Sequence, residues 1–217
     1  MNNVANLWQG QIVSDEEFKK LFYAHKNNSG FWNQVPMSHD LLFNLVEKVS
    51  SKLKERGDFY KRLVDDLRMR PDVEEDEVVA SLNSLEDFLC VDNLRLKLYR
   101  ELGSENPFEL KRISYKENHF ESWFPLGVLV HVTPNNSPLL GVLGVLEGLL
   151  AGNVNVLKLA RRDSSFAAIF YQQLCLLDDT GIFKKYITIG KVSSGDKQYL
   201  SDFLSIADVV SAWGNEE

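Results

Sequence analysis

The sequence predicts an α/β fold: a Rossmann-like parallel sheet with helices on both faces, preceded by a helical N-terminal region. In the second half, short apolar runs rich in β-branched residues alternate with helical segments, a pattern typical of βαβ units. In the first half, apolar residues recur at helical spacing. We therefore expect a helical region over residues 1–110 that packs on the first part of an α/β domain over residues 111–217.

Three amphipathic helices are predicted in the first half. The first begins after an N-cap at Ser38 or Asp40. The second follows the acidic run that ends at Glu77, because negative charge favours a helix N-terminus, and the third ends at Gly103. The apolar stripes are formed by Leu41, Leu42, Leu45, Val46, Val49 and Leu53, then by Val78, Leu82, Leu85 and Leu89, and last by Leu94, Leu98 and Leu102.

Four strands are predicted in the second half, each followed by a helix or by the end of the chain. The strands are expected at residues 127–132, 154–159, 186–190 and 208–213, and the helices at 138–151, from near Asp163, and at 197–206. Parallel sheets of this type bind ligands at the carboxyl ends of their strands. That edge is therefore the expected site.

Composition argues against several classes of protein. The 217 residues are 44% hydrophobic and carry a formal net charge of −7, which disfavours a surface for nucleic acid or anionic lipid. The longest apolar run, residues 139–152, contains Glu147 and is too short to span a bilayer. Two cysteines are too few for a disulfide framework, so we expect a cytoplasmic protein.

The turn after the first strand carries two asparagines between two prolines. Pro134 and Pro138 stiffen this turn, and Pro138 suits the first position of a helix. The amide of Asn135 or Asn136 could stabilise a developing oxyanion by roughly 3 kcal/mol. An ordinary turn from strand to helix is the structural alternative.

The helix after this turn contains glycines on one face. Gly141, Gly148 and Gly152 are spaced by seven and four residues, and Gly144 lies near them. Each glycine inside a helix costs about 1 kcal/mol relative to alanine, so we expect the sheet to approach this face closely.

Cations follow the second strand. Lys158 lies at its end, and Arg161 and Arg162 occupy the next loop, where an anionic ligand of a parallel sheet would lie. A solvated loop is the alternative. Together with the asparagines at the end of another strand, these cations favour a cleft that binds a nucleotide phosphate beside a reacting carbonyl.

The remaining candidates for chemistry are weak. Cys90 and Cys175 fall in apolar helical runs and are expected to be inert core residues. His119 and His131 lack the spacing of a ligand pair, so no metal site is predicted.

The motifs FPLGVLVHVTPNNSP, LLAGNVNVLKLARRD and ADVVSAWGN, in this order, resemble the cofactor domain of the aldehyde dehydrogenase superfamily. The similarity spans residues 124–215. Within that superfamily, the sequence most resembles bacterial acyl-CoA reductases of the luminescence fatty-acid reductase type. Two features carry this resemblance: Asn135 at the position where the superfamily usually has tryptophan, and the long helical N-terminal region. The resemblance implies that residues 111–217 are the first part of an NAD(P)-binding domain.

The resemblance also implies roles for individual residues. Asn136 matches the asparagine of the oxyanion hole, and Lys158 matches a lysine that contacts the adenosine ribose hydroxyls or the 2′-phosphate of the cofactor. Arg161 stands where NAD-preferring members carry glutamate, which implies NADPH. The complete implied cofactor site is Thr133, Pro134, Lys158, Arg161, Gly214 and Asn215.

The implied reaction is reduction of a fatty acyl-CoA or acyl-protein to an aldehyde through a cysteine thioester. The family's nucleophilic cysteine lies beyond this chain, so the chain alone is expected to be inactive. A homo-oligomer or a complex with other fatty-acid reductase subunits is also implied. Two alternatives stay open: another CoA-acylating aldehyde dehydrogenase or glutamyl-phosphate reductase relative, and a non-catalytic interaction module.

Overall fold

The computed structural model describes residues 5–70, 73–134, 138–160 and 163–213. The helices are α1 Asp15–His25, α2 Ser29–Trp32, α3 His39–Lys54, α4 Asp58–Arg68, α5 Glu75–Phe88, α6 Val91–Leu102, α7 Pro138–Leu150, α8 Phe166–Leu177 and α9 Lys197–Leu204. The strands are β1 Asn6–Trp8, β2 Gln11–Val13, β3 Lys111–Arg112, β4 Phe120–Glu121, β5 Val128–Val132, β6 Val154–Leu159, β7 Ile187–Lys191 and β8 Val209–Ala212.

Six of these strands form one twisted sheet in the order β2-β1-β7-β6-β5-β8. The four strands predicted from the sequence, β5 to β8, pair in parallel, as expected for βαβ units. Strands β3 and β4 form a separate antiparallel pair. The predicted α/β class is therefore confirmed, with an antiparallel addition at one edge.

Helices cover both faces of the sheet, as predicted. Leu157 of β6 faces α7, since its side chain lies 3.0 Å from where a Cβ on Gly141 would be. The neighbouring Lys158 points to the opposite face, which it shares with Gly190. Rings of Phe18 in α1 and Phe203 in α9 pack against Gly190. Thus α7 lies on one face, and α1 and α9 lie on the other.

The three helices predicted in the first half are α3, α5 and α6. Their predicted apolar stripes face inward, and only Leu41 and Leu102 are partly exposed. Helices α3, α4 and α5 pack on α7 or α8, so the helical region covers one helical layer of the α/β part. The boundary near residue 110 stays a prediction, because one hydrophobic core runs through both regions.

A hairpin at the N-terminal end joins the edge of the sheet and was not predicted. Strands β1 and β2 are joined by Gln9 and Gly10, both with positive φ (49° and 79°), as in the two-residue turns preferred by hairpins. Strand β1 pairs antiparallel with β7, and Asn6 Oδ1 accepts a 2.6 Å hydrogen bond from the Lys191 amide. The Gln-Gly step between two short apolar runs was the signal for this hairpin.

The expected close approach of the sheet to the α7 glycines is confirmed for two of them. A Cβ on Gly141 would touch Leu157, and one on Gly148 would overlap the amide oxygen of Asn155. Gly152, however, does not belong to the helical face, because α7 ends at Leu150. Its φ of +78° and its contact with the Phe108 ring mark a left-handed turn after the helix.

Candidate functional site

The carboxyl ends of the parallel strands bring the predicted site residues to one edge of the sheet. Lys158 at the end of β6 pairs with Val132 in β5 and with Gly190 in β7. Trp213, after β8, donates its amide to Val132 O at 2.9 Å. The turn after β5, the loop after β6 and the residues after β8 therefore leave the sheet side by side.

Lys158 is a buried cation at this edge. Its exposed fraction is 8%, and it makes no hydrogen bond or ion pair with the residues that the structure describes. Burial lowers the pKa of its ammonium group, and the charge of Asp163 partly opposes this shift. An anion bound at the edge would relieve the cost of keeping this charge out of water.

The loop after β6 is organised by a carboxylate. Asp163 accepts hydrogen bonds from the Ser164 amide at 2.9 Å and from the Ala160 amide at 3.4 Å. Burial raises the pKa of Asp163, while these amides and the charges of Arg70 and Lys158 oppose the rise. Asp163 was predicted only as the approximate start of a helix and not as a residue of the site, although aspartate is a frequent turn residue because its side chain bonds nearby backbone amides.

The other predicted site residues are only partly within the described residues. Thr133 is buried and Pro134 half-buried, directly after β5. The predicted residues Asn136, Arg161, Gly214 and Asn215 lie outside the described residues, as do Asn135 and Arg162. Their roles stay predictions.

A buried polar network lies between β5, β6 and α7. His131 Nε2 and Asn155 Oδ1 are 2.9 Å apart, and Asn155 donates from Nδ2 to the Asn153 carbonyl at 2.8 Å. Asn153 Oδ1 in turn accepts from the amides of Leu126 and Gly127. His131 lies in the strand predicted at residues 127–132, but no role was predicted for Asn153 or Asn155, whose signal was their position inside an apolar run.

Neither cysteine belongs to the site. Burial raises the pKa of the Cys175 thiol to about 12, so it is a poor nucleophile, as predicted. The prediction of a core position for Cys90 is wrong: Cys90 is exposed at the N-cap of α6, and the preceding Leu89 is the residue that is buried. No group of three or more potential metal ligands occurs among the described residues, and no helix among them is long and apolar enough to cross a membrane.

The fold is that of the aldehyde dehydrogenases. An aldehyde dehydrogenase from Bartonella henselae superposes with a TM-score of 0.59 at 17% identity, over 93% of this chain and 45% of that one. The NADP-dependent glyceraldehyde-3-phosphate dehydrogenase from Bacillus halodurans, solved in complex with NADP, gives a TM-score of 0.57 at 14% identity. That match covers 97% of this chain and 48% of the dehydrogenase.

Sequence comparison identifies the branch. The profile of the acyl-CoA reductase (LuxC) family matches residues 35–217, and the chain belongs to this family. A long-chain acyl-protein thioester reductase from Photorhabdus luminescens is 24% identical over 208 residues. The alignment covers 95% of this chain and 42% of the reductase, so the chain spans less than half the length of this relative.

Proposed function

We propose that these residues form the cofactor-binding part of an NADPH-dependent reductase that converts a fatty acyl thioester, acyl-CoA or acyl-protein, to an aldehyde. The observation that carries the proposal is Lys158, a buried cation at the carboxyl edge of a parallel sheet that makes no hydrogen bond or ion pair with the residues that the structure describes. Membership of the acyl-CoA reductase family supports the reaction class. The NADP complex of a protein with the same fold supports the choice of cofactor.

The residues of the proposed site fit an anionic dinucleotide. Lys158 and Arg161 would hold the adenosine ribose and its 2′-phosphate, because both offer positive charge and arginine binds phosphate in a bidentate manner. Gly214 and Asn215 would let the pyrophosphate approach the backbone, and Thr133 and Pro134 would line the site. NADPH would supply the hydride for the reduction.

The acyl group would be activated by Asn136 of this chain and by a nucleophilic cysteine from elsewhere. Asn136 is the proposed hydrogen-bond donor to the oxyanion. The nucleophilic cysteine that the family resemblance implies is proposed to lie outside these 217 residues, and the raised pKa of the buried Cys175 thiol, about 12, supports leaving Cys175 out of this role. We also propose a cytoplasmic setting, since both cysteines are free.

Nucleotide binding by the 217-residue chain tests this proposal. NADP⁺ at one hundred times its Kd should stabilise the chain by about 2.7 kcal/mol in thermal unfolding. Lys158→Met should abolish the effect, whereas Lys197→Met, a change of an exposed lysine on α9, should not. Arg161→Glu should shift preference from NADP⁺ towards NAD⁺.

Three outcomes would redirect the assignment. No stabilisation by either nucleotide would favour a non-catalytic interaction module. An unchanged ratio of the two Kd values in Arg161→Glu would refute the role of Arg161. Activity assays with different acyl substrates, on a protein that includes the proposed nucleophilic cysteine, would separate a fatty acyl-CoA reductase from other CoA-acylating aldehyde dehydrogenases and from glutamyl-phosphate reductase relatives.

A further inference from the structure

Strands β3 and β4 belong to a ribbon, residues 109–126, that exposes many large apolar side chains. Single exposed apolar residues are ordinary on a protein surface, whereas a group of them marks a contact surface. Here seven fall within 17 consecutive residues, and Tyr115 is 89% exposed. They are Leu110, Ile113, Tyr115, Phe120, Trp123, Phe124 and Leu126. The ribbon is therefore a candidate contact surface.

The ribbon is anchored at its base to the end of α6. Trp123 donates from its indole nitrogen to Leu102 O at 2.9 Å and from its amide to Pro107 O at 2.9 Å. Lys111 donates from Nζ to the hydroxyl of Ser104. Because side chains alternate along a strand, the neighbouring Arg112 points to the opposite face of the ribbon. The anchored ribbon thus keeps one face and its edges turned away from the body.

Both edges of the ribbon are open. Within the part of the chain that the structure describes, β3 and β4 form a sheet of two strands. Ile113 donates its amide to His119 O at 3.0 Å, so these residues form a hydrogen-bonded pair. The next pair, Arg112 and Phe120, is then of the non-hydrogen-bonded type, and its peptide groups point outward. Hairpins of two strands are only marginally stable, and free edges accept further strands.

The two edges differ in how well they pair with a copy of themselves. A two-fold antiparallel pairing centred on Arg112 would place two guanidinium groups opposite each other, and like charges opposite each other destabilise a sheet. Pairing centred on Phe120 instead places two aromatic rings opposite each other. It also places His119 opposite Glu121 of the second copy, where an imidazole N–H can donate to a carboxylate. The edge of β4 is therefore complementary to itself.

The charge of the ribbon also suits a second copy of the chain. Three cations of the ribbon balance three carboxylates, whereas the whole chain carries a net charge of −7. Two copies can therefore approach through this surface without net repulsion, and the surface has no net charge to attract a strongly acidic or basic partner. The balanced residues are Lys111, Arg112 and Lys116 with Glu109, Glu117 and Glu121.

We infer that the ribbon is a dimer interface: the free edge of β4 pairs antiparallel with β4 of a second copy, centred on Phe120, and forms a four-stranded sheet across a two-fold axis. Such an interface uses the same patch on both copies, as this pairing does. The inference goes beyond the proposed function and does not depend on nucleotide binding.

Sedimentation of the 217-residue chain over a range of concentrations measures Kd of the dimer. Phe120→Pro should raise Kd at least about tenfold, because each copy loses an outward N–H that the hairpin itself does not use. Phe120→Thr keeps this N–H, controls for the lost ring and should raise Kd less. Arg112→Pro makes the same backbone change on the edge of β3 and should keep Kd within about twofold.

A second set of substitutions tests the register of the pairing. His119→Glu places two carboxylates opposite each other and should raise Kd about fivefold. Adding Glu121→Gln replaces the opposing carboxylate by an amide donor and should bring Kd back to within about twofold of the wild-type value. Asn93→Glu adds the same charge at an exposed position of α6 and is the matched control.

Hydrogen exchange gives a reading without any substitution. In the wild-type chain the Phe120 amide should exchange at least about tenfold more slowly above Kd than below it, whereas the rate of the Arg112 amide should not change. A wild-type chain that stays monomeric at submillimolar concentration would overturn the inference. Equal effects of Phe120→Pro and Arg112→Pro would overturn the assignment to β4, as would failure of Glu121→Gln to restore Kd. The proposed function would stand in each case.

Discussion

His131 and Asn155 link the two central parallel strands beneath α7 through a side-chain hydrogen bond of 2.9 Å between Nε2 and Oδ1. Because Asn155 donates from Nδ2 to the Asn153 carbonyl, its oxygen faces the imidazole, so Nε2 must carry the proton. The ring is 2% exposed, and its burial lowers the pKa of His131. His131 is therefore a neutral imidazole with a fixed tautomer.

The stability of the chain should fall in mild acid because of His131. In the unfolded chain this side chain takes up a proton near pH 6.5, whereas burial shifts uptake in the folded chain to lower pH. Between the pKa of the folded state and that of the unfolded state, the unfolded state binds more protons. The free energy of unfolding should therefore fall by up to about 1.4 kcal/mol for each unit by which the pH is lowered. Urea unfolding between pH 7.5 and 5 measures this slope. His131→Gln should remove it, and His119→Gln, a change of an exposed histidine, should not.

Two glycines of α7 should respond to alanine in opposite directions. A Cβ on Gly148 would overlap the Asn155 amide oxygen and lie 3.2 Å from His131 Nε2, so Gly148→Ala should destabilise by about 1–3 kcal/mol. A Cβ on Gly144 would meet His131 Nδ1 at an ordinary 3.4 Å. Gly144→Ala should therefore stabilise by up to about 1 kcal/mol through helix propensity. Equal effects of the two changes in urea unfolding would contradict the close packing of α7.

The two cysteines should differ in reactivity. At a pKa of about 12, Cys175 carries roughly a thousandfold less thiolate than an ordinary thiol, and it is also partly buried. Cys90 is exposed. A thiol-disulfide reagent should modify one cysteine in the folded chain and two in urea. Cys90→Ser should leave no fast-reacting thiol, and fast labelling of that variant would contradict the burial of Cys175.

The sequence predicted best where periodicity is strong. The β5 to β8 units and α3, α5 and α6 followed from apolar spacing, because burying one face of an element is a local requirement of its sequence. The hairpin β1–β2 was missed because two three-residue strands give too short a pattern, and their stability comes from pairing with β7.

Long-range polar contacts could not be predicted from the sequence. Asp66 accepts a hydrogen bond from the Ser165 amide although the two residues are 99 positions apart, and nothing near either residue indicates the other. Similarly, Asn155 appeared as one polar residue in an apolar strand, although its partner His131 lies on the neighbouring strand. Lys158 could be assigned to the carboxyl edge of the sheet because the local sequence pattern of a parallel strand shows where that strand ends.

Lys158 should give cofactor affinity and stability opposite dependences on pH. Burial lowers its pKa below the usual 10.5, so in alkaline solution the folded chain loses this proton before the unfolded chain does. Stability without ligand should rise with pH across that window, relative to Lys158→Met. NADP⁺ affinity should fall across the same window, because the ammonium proposed to bind the phosphate disappears while the 2′-phosphate stays fully charged above pH 7. Lys158→Arg keeps its charge and should bind NADP⁺ with a constant Kd from pH 7.5 to 10. A parallel fall in affinity for Lys158→Arg would show that another group governs the pH dependence.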